Sequence, residues 1–554
     1  MQTTLCVPLE VRPESLGRLS DLIDAFRWDE DQGKGAIGGN FGRISRDVPV
    51  LHFMSVSVFP SPDYDPIFVL EANFDGPPGV FWGQIEAAFG ARLRAMLRCC
   101  KQPLDRDGAL YAAVTARESK APVAPYLEAR TQWPSAFHHG NRGLSRDRIL
   151  AEAALFADLR AELDDPLRHP TDIYRGLAAT DVHERLQQAL TPAFPWLATP
   201  APERISRLER ATDLARLVLF VVILLLVLTM PSFIAASLLD PGPYVQLIIL
   251  LFGLLVAVVL LVKWLAPPPP DEPGFPSQFR LLAVLWQNAP LIGAVVGGAA
   301  VLMTLAMWPI VTLARWVLAL LGGTDWPVLA GSFWPMVGHA ALGLLGLIVV
   351  VPLLVLWVRF LERRDSSQDA PPPYPDVLRE MLRQEDWIAQ NHMGSVVLIK
   401  PGVLRTLVIR AGHLGLGLFL RFSATHGYLG SMRTVHFAHW AFLNNGSRLL
   451  FLSNFDQSWG SYLDDFIEKA NVGTTLAWGA GVGFPPTRFL IYDGSSNGRR
   501  FKAWALASRA VSRFWYSAYP GLTVDQIERN FRIANGLRQH RLTEMEAREW
   551  IRDL

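Results

Sequence analysis

Apolar residues run almost unbroken between Leu217 and Val358, while on either side they alternate or recur at helical spacing. A bilayer core takes about 20 apolar residues in a helix. The stretch from Leu217 to Leu239 meets that length, with Pro231 as a kink, and so does Tyr244 to Leu265. The stretch from Leu281 to Leu321 reads as one tilted span from about Pro290, with an interfacial piece around Trp286 before it. Pro335 to Val358 closes a bundle of four spans, five being the alternative count.

The flanking regions read as α+β. Thr4 to Leu9 has strand character, and Pro13 to Phe26 sets Leu16, Leu19, Leu22, Ile23 and Phe26 on one helical face. Val48 to Phe59 and Ile67 to Ala72 form a hairpin about a Pro- and Asp-rich turn; a helix over Val80 to Leu97 and a fourth strand over Ala109 to Ala116 follow. A helix over Ser145 to Leu163 closes the region. After the spans the order returns: a strand at Ser395 to Lys400, a helix over Val403 to Phe422, and a hairpin of Thr434 to Leu443 with Arg448 to Ser453. A helix over Trp459 to Ala470, a strand at Thr487 to Tyr492 and a closing helix over Thr523 to Arg538 complete it. This β-α-β-β-α-β order is the split βαβ, or ferredoxin-like, unit. Its sheet has one face bare, which two copies packed sheet to sheet would bury.

The two regions also repeat residues. Leu51-His52-Phe53, Asn73-Phe74-Asp75, Ile85-Glu86, Ser135-Ala136-Phe137 and Gly143-Leu144-Ser145 return as Val435-His436-Phe437, Asn454-Phe455-Asp456, Ile467-Glu468, Ser517-Ala518-Tyr519 and Gly521-Leu522-Thr523. Five landmarks in one order mark two copies of one domain rather than a solenoid. The expected organisation is a first repeat over residues 1–165, a helical connector over 166–214, the bundle over 215–360, a Pro-rich linker over 361–385 and a second repeat over 386–554. Pro267 to Pro270 and Pro371 to Pro373 act as stiff spacers.

Charge sets an orientation. Arg204, Arg207, Arg210 and Arg216 precede the first span, and Arg359, Arg363 and Arg364 follow the last, while the loops at residues 240–243 and 322–325 hold no Lys or Arg. The positive-inside bias then puts both termini in the cytoplasm of a multi-pass inner-membrane protein. The N-terminus shows no cleavable signal pattern. Arg315 and His339 are the notable ionisable residues within the spans, too few for a transport path. A net charge of +1 excludes a global field for nucleic acid, and Cys6, Cys99 and Cys100 have no metal-ligand spacing, which suits a reducing compartment.

Candidate chemistry gathers in the second copy. His52 and His436 are repeat counterparts: a neutral imidazole on a strand could ligate haem or act as a base, making His436 a ligand candidate, while duplication suits a structural hydrogen bond. His439 stands where the first copy has Ser55, the asymmetry a single ligand site needs. Strand alternation puts His439 and His436 on opposite faces. Asn454 and Asp456, with counterparts Asn73 and Asp75, either cap the following helix or bind a ligand in the barrel mouth. Arg433 and Arg488 suit a carboxylate such as a propionate, or a surface ion pair. His138-His139 reads as part of a turn, weak as a metal site. Gly33-Lys34-Gly35-Ala36-Ile37-Gly38 follows a helix and precedes a strand, the reverse of the dinucleotide context. The apolar helix over Val403 to Phe422 either lies in the headgroup zone or forms core. Half the residues are hydrophobic, and mean hydropathy is +0.21.

Paired units of this order resemble the dimeric α/β-barrel superfamily, which includes dye-decolorising peroxidases, chlorite-dismutase-like proteins and cofactor-free monooxygenases. The strings Val435-His436-Phe437-Ala438-His439-Trp440 and Leu450-Phe451-Leu452-Ser453-Asn454-Phe455-Asp456, with Gln390-Asn391 through Lys400-Pro401-Gly402 upstream, resemble an uncharacterised bacterial membrane-protein family with peroxidase-like halves. The resemblance implies a barrel and, in its peroxidase branch, haem; the asymmetry noted above makes His439 the candidate to hold it. The peroxidase Gly-x-x-Asp-Gly motif is present only as Asp493-Gly494, with Leu490 in place of the first Gly. The leading functional expectation is a barrel that binds a lipophilic or redox ligand at the lipid bilayer in a sensing or accessory role. A haem-dependent peroxidase-like oxidoreductase and a non-catalytic membrane scaffold are the alternatives.

Overall fold

A computed structural model describes residues 2–31, 41–61, 64–165, 168, 173–238, 346–365, 375, 379, 389–423, 432–510 and 512–554. The glycine-rich string at 33–38, most of the expected spans and the Pro-rich spacers lie outside these residues. The chain divides into two compact units, Met1–Leu214 with Ser366–Leu554, and Ala215–Asp365. The first is a mixed α/β unit built on antiparallel sheets. Two described helices, Arg207–Met230 and Val403–Ser423, are long and apolar enough to cross a membrane.

The first sheet holds β1 (Gln2–Glu10), β2 (Leu51–Phe59) and β3 (Ile67–Asp75); the second holds β4 (Ala136–His139), β5 (Gln390–Leu398), β6 (Val435–Leu443) and β7 (Arg448–Asp456). A two-stranded ribbon, β8 (Thr487–Arg488) and β9 (Tyr492–Asp493), stands apart. The short β10 (Arg509–Ala510) and then β11 (Ser512–Ser517) complete the set. Spatial order is β1-β3-β2-β11 in one sheet and β10-β5-β7-β6-β4 in the other. β11, late in the chain, therefore edges the sheet of β1, β2 and β3, and β4, from before residue 140, edges the sheet of β5, β6 and β7. Phe53 pairs with Ser517, and Phe437 pairs with His139.

This exchange corrects three sequence expectations. Ala109 to Ala116 is no strand: Gly108–Thr115 is a helix, as its alanines favour, and it buries Tyr111 and Val114 one turn apart. Thr487 to Tyr492 is no continuous strand, because Phe489 and Leu490 take φ of 55° and 65° and turn the chain. His138 and His139 sit in a paired strand rather than a turn. The landmark Ser135-Ala136-Phe137 also slips against its partner. Gly140 N–H donates to the His436 carbonyl where Ala518 N–H donates to that of His52, so Gly140, not Ala136, is the counterpart of Ala518.

Helices Leu16–Asp31 and Pro78–Leu97 cover the outer face of the first sheet through Leu19, Ile23, Phe26, Phe81 and Phe89. Phe514 of β11 stacks on Phe26 with ring centroids 4.4 Å apart, tying the C-terminal part of the chain into the core of the first sheet. The second sheet's outer face packs Trp440 and Phe451 against Trp478. The inner faces meet. Cys6, Phe59, Ile67 and Val69 pack on Ala441, Leu443, Leu450 and Leu452 in one buried layer. A Cβ on Gly394 would stand 2.8 Å from the Phe59 ring, so the two sheets approach closely at that rung.

Candidate functional site

One polar island interrupts the layer between the sheets. Glu71 lies mid-strand in β3, between the apolar Ile67 to Leu70 and Ala72, and its side chain is 1% exposed. A buried carboxylate needs partners. Ser55 donates to Oε2 at 2.9 Å, Asn73 to Oε1 at 3.1 Å, and Asn454 of the opposite sheet to Oε1 at 3.4 Å. His392 Nε2 stands 2.8 Å from Oε2, and His439 Nδ1 3.6 Å from Oε1. Burial opposes ionisation of Glu71, but the hydrogen bond and charge of His392 and the charge of His439 prevail and hold it at about 2. Burial pushes His439 below the ordinary imidazole value despite that neighbour. Neither ring nitrogen of His439 makes a hydrogen bond among the described residues.

The network leads outward from His392. Its Nδ1 is 2.5 Å from Ser512 Oγ, which also accepts from Ser57 Oγ at 3.1 Å. Trp515 Nε1 donates to Asn454 Oδ1 at 2.8 Å, and Thr4 Oγ donates to Asn73 Oδ1 at 2.8 Å. The island thus draws side chains from β1, β2, β3, β5, β6, β7 and β11. The sequence reading found His439, Asn73 and Asn454 but passed over Glu71, His392 and Ser512. A carboxylate set between apolar neighbours in the middle of a strand was the available signal.

His52 and His436 serve a second, duplicated arrangement. Each is the extra residue of a β-bulge, between Leu51 and Phe53 in one sheet and between Val435 and Phe437 in the other. A bulge breaks the two-residue alternation and re-aims a side chain. His436 consequently faces inward with Phe53 and Tyr519, contrary to the simple alternation that set it opposite His439. His52 Nε2 lies 3.1 Å from Asp75, and His436 Nε2 lies 2.8 Å from Asp456. Asp75 accepts from the Arg146 amide and Asp456 from the Val524 amide, both at 2.8 Å. These aspartates do cap helices, but the closing ones, Arg146–Asp164 and Val524–Leu537, rather than those next in sequence. Burial raises Asp75, but the His52 and Arg146 contacts outweigh it and draw its carboxyl below the ordinary range.

The remaining candidates lie elsewhere. Arg488 pairs with Asp493 at 3.4 Å across the small ribbon, and Arg433 is exposed ahead of β6. Among the described residues, the hydrogen-bond partners of the Glu71 carboxylate are Ser55, Asn73, His392 and Asn454. No group of three or more His, Cys, Asp or Glu among the described residues has metal-binding geometry. The surroundings of His439 do not fit haem. Its Nδ1 faces a carboxylate, and among the described residues the two sheets close on the same rung at Gly394 and Phe59, where a macrocycle would have to lie.

Helix Val403–Ser423 forms the outer boundary of this half. His413 anchors it, with Nδ1 3.0 Å from Ser135 Oγ and Nε2 2.9 Å from the Ala477 carbonyl. Its other face exposes Val403, Leu407, Leu414, Phe419 and Phe422. Near its C-terminus, Arg421 Nε lies 3.1 Å from the buried Asp213, and Arg142 also binds Asp213, at 2.5 Å. Comparison with known proteins finds no matching family model, no matching curated sequence and no matching solved structure.

Proposed function

We propose that the protein is a membrane-anchored binding module whose α/β unit lies against the bilayer and takes up a lipophilic ligand there. The observation that carries this reading is the exposed apolar stripe of Val403–Ser423, held at one end by Asp213. Asp213 precedes the apolar run at Leu217 by four residues, about 6 Å along a helix. A stripe of large apolar side chains left exposed on a helix suits the interfacial zone, where buried apolar area drives binding. The finer parts of the reading belong with it: ferredoxin-like halves with exchanged edge strands, four spans in the inner membrane and both termini cytoplasmic. The resemblance to the uncharacterised membrane family supports it on the sequence strings alone.

The test uses the full chain in lipid nanodiscs. Leu414→Cys and Phe419→Cys are labelled with an environment-sensitive dye, and Leu104→Cys, fully exposed in the other copy, is the aqueous control. Spin-labelled lipid should quench the dye at 414 and 419 and spare it at 104. Equal quenching by aqueous iodide at all three positions would overturn the reading.

A further inference from the structure

The Glu71 island holds a directional hydrogen-bond chain. Glu71 is ionised and can only accept, so His392 Nε2 carries the hydrogen between them. In the neutral ring Nδ1 is then the acceptor, and it faces the Ser512 hydroxyl. Ser57 donates to Ser512, which leaves the Ser512 proton directed at His392. The chain also runs from surface to interior. Ser512 is partly exposed, while the side chains of His392 and Glu71 are 2% and 1% exposed. Three strands from both sheets supply the three groups. Ser512 opens β11 where the chain passes from pairing with Gly394 in one sheet to pairing with Ser57 in the other.

We propose that Ser512 is the nucleophile of an acyl-transfer site that hydrolyses a carboxylic ester, with His392 as general base and Glu71 as the positioning residue that fixes the imidazole. Hydroxyl, imidazole and carboxylate in this polarity are the groups that activate a serine. Ser512 Oγ bonds to the ester carbonyl carbon as its proton passes to His392 Nδ1. The carbon–alkoxy bond then breaks, and the alcohol departs with that proton. Water attacks the acyl-serine, giving its proton to Nδ1, and the acid leaves as Ser512 regains the proton. Ester and water become alcohol and acid, with no redox partner. Glu71 already has Ser55, Asn73 and Asn454 as donors, and Ser512 lies beyond the ring, so the hydroxyl adds nothing to satisfying the carboxylate. The proton directions follow from the contact geometry and the ionised carboxylate, and they hold whether or not the apolar stripe meets lipid.

The experiment treats the intact protein in detergent micelles with a fluorophosphonate probe, followed by peptide mass spectrometry. The expected result is an adduct on Ser512, absent in Ser512→Ala and formed at least about 100-fold more slowly in His392→Gln, in line with the cost of losing a triad member. In Glu71→Gln the maximal labelling rate should fall while the probe concentration giving half-maximal rate stays unchanged, since the imidazole loses its positioning and the probe loses no contact. His439 and Cys6 are the other titratable groups against Glu71, and both stay in that variant. No adduct on Ser512 in the folded wild type, or an equal labelling rate in His392→Gln, overturns the proposal. The wild-type measurement needs no variant to fold.

Discussion

Replacing Glu71 with glutamine preserves shape and removes one charge from the layer between the sheets. A carboxyl held at about 2 rather than at its ordinary 4.5 contributes about 3 kcal/mol of stability near neutral pH. That figure agrees with the ~3–5 kcal/mol lost when one partner of a buried pair is removed. The sign follows from the depressed value. The contribution is complete above the unfolded-state pKa of about 4.5 and is lost as pH falls through about 2. Thermal unfolding followed by tryptophan fluorescence in micelles reads the effect, since Trp515 and Trp440 report on the two sheets. At roughly 2 °C per kcal/mol for a large domain, Glu71→Gln should melt about 6 °C below wild type at pH 7. The gap should close only below pH 4.5. A variant that melts with wild type at pH 7, or a gap that still widens between pH 4 and pH 2.5, would refute the account of the island.

Two further outcomes are expected. Gly140→Ala should destabilise the protein by more than about 2 kcal/mol, because its Cβ would stand 2.2 Å from the Val435 carbonyl oxygen, whereas Gly79→Ala, with nothing within 4 Å, should be neutral in the same melting assay. Reporter fusions after Leu554 and within residues 322–325 should lie on opposite sides of the membrane, as the one-sided arginines require; both on one side would sink the four-span topology.

Much of each copy's first half was legible because its signals are local. The hairpin of β2 and β3 and the helix Pro78–Leu97 follow from alternation and helical periodicity in short windows. The edge strands were not legible. β11 pairs with Ser57, some 450 residues earlier, and no local pattern records that choice. The bulges at His52 and His436 were likewise hidden, since one extra residue looks like ordinary alternation in sequence and reverses the face of a side chain. His439 was found by comparing copies. Glu71 escaped because its counterpart on the equivalent rung is Leu452, and attention to shared residues passes over a position where the copies differ.

The exchange of edge strands bears on how the chain is made. β2 leaves the ribosome with β3 on one side and nothing on the other, and its partner Ser512 follows some 450 residues later. At about 5–20 residues per second, that is roughly 25–90 s of synthesis during which an apolar strand edge waits open. The hydrophobic segments between the copies emerge in that interval. A ribosome engaged with the membrane would keep the unfinished first sheet away from other nascent chains, and neither sheet can close until the segment just before the final helices has been translated.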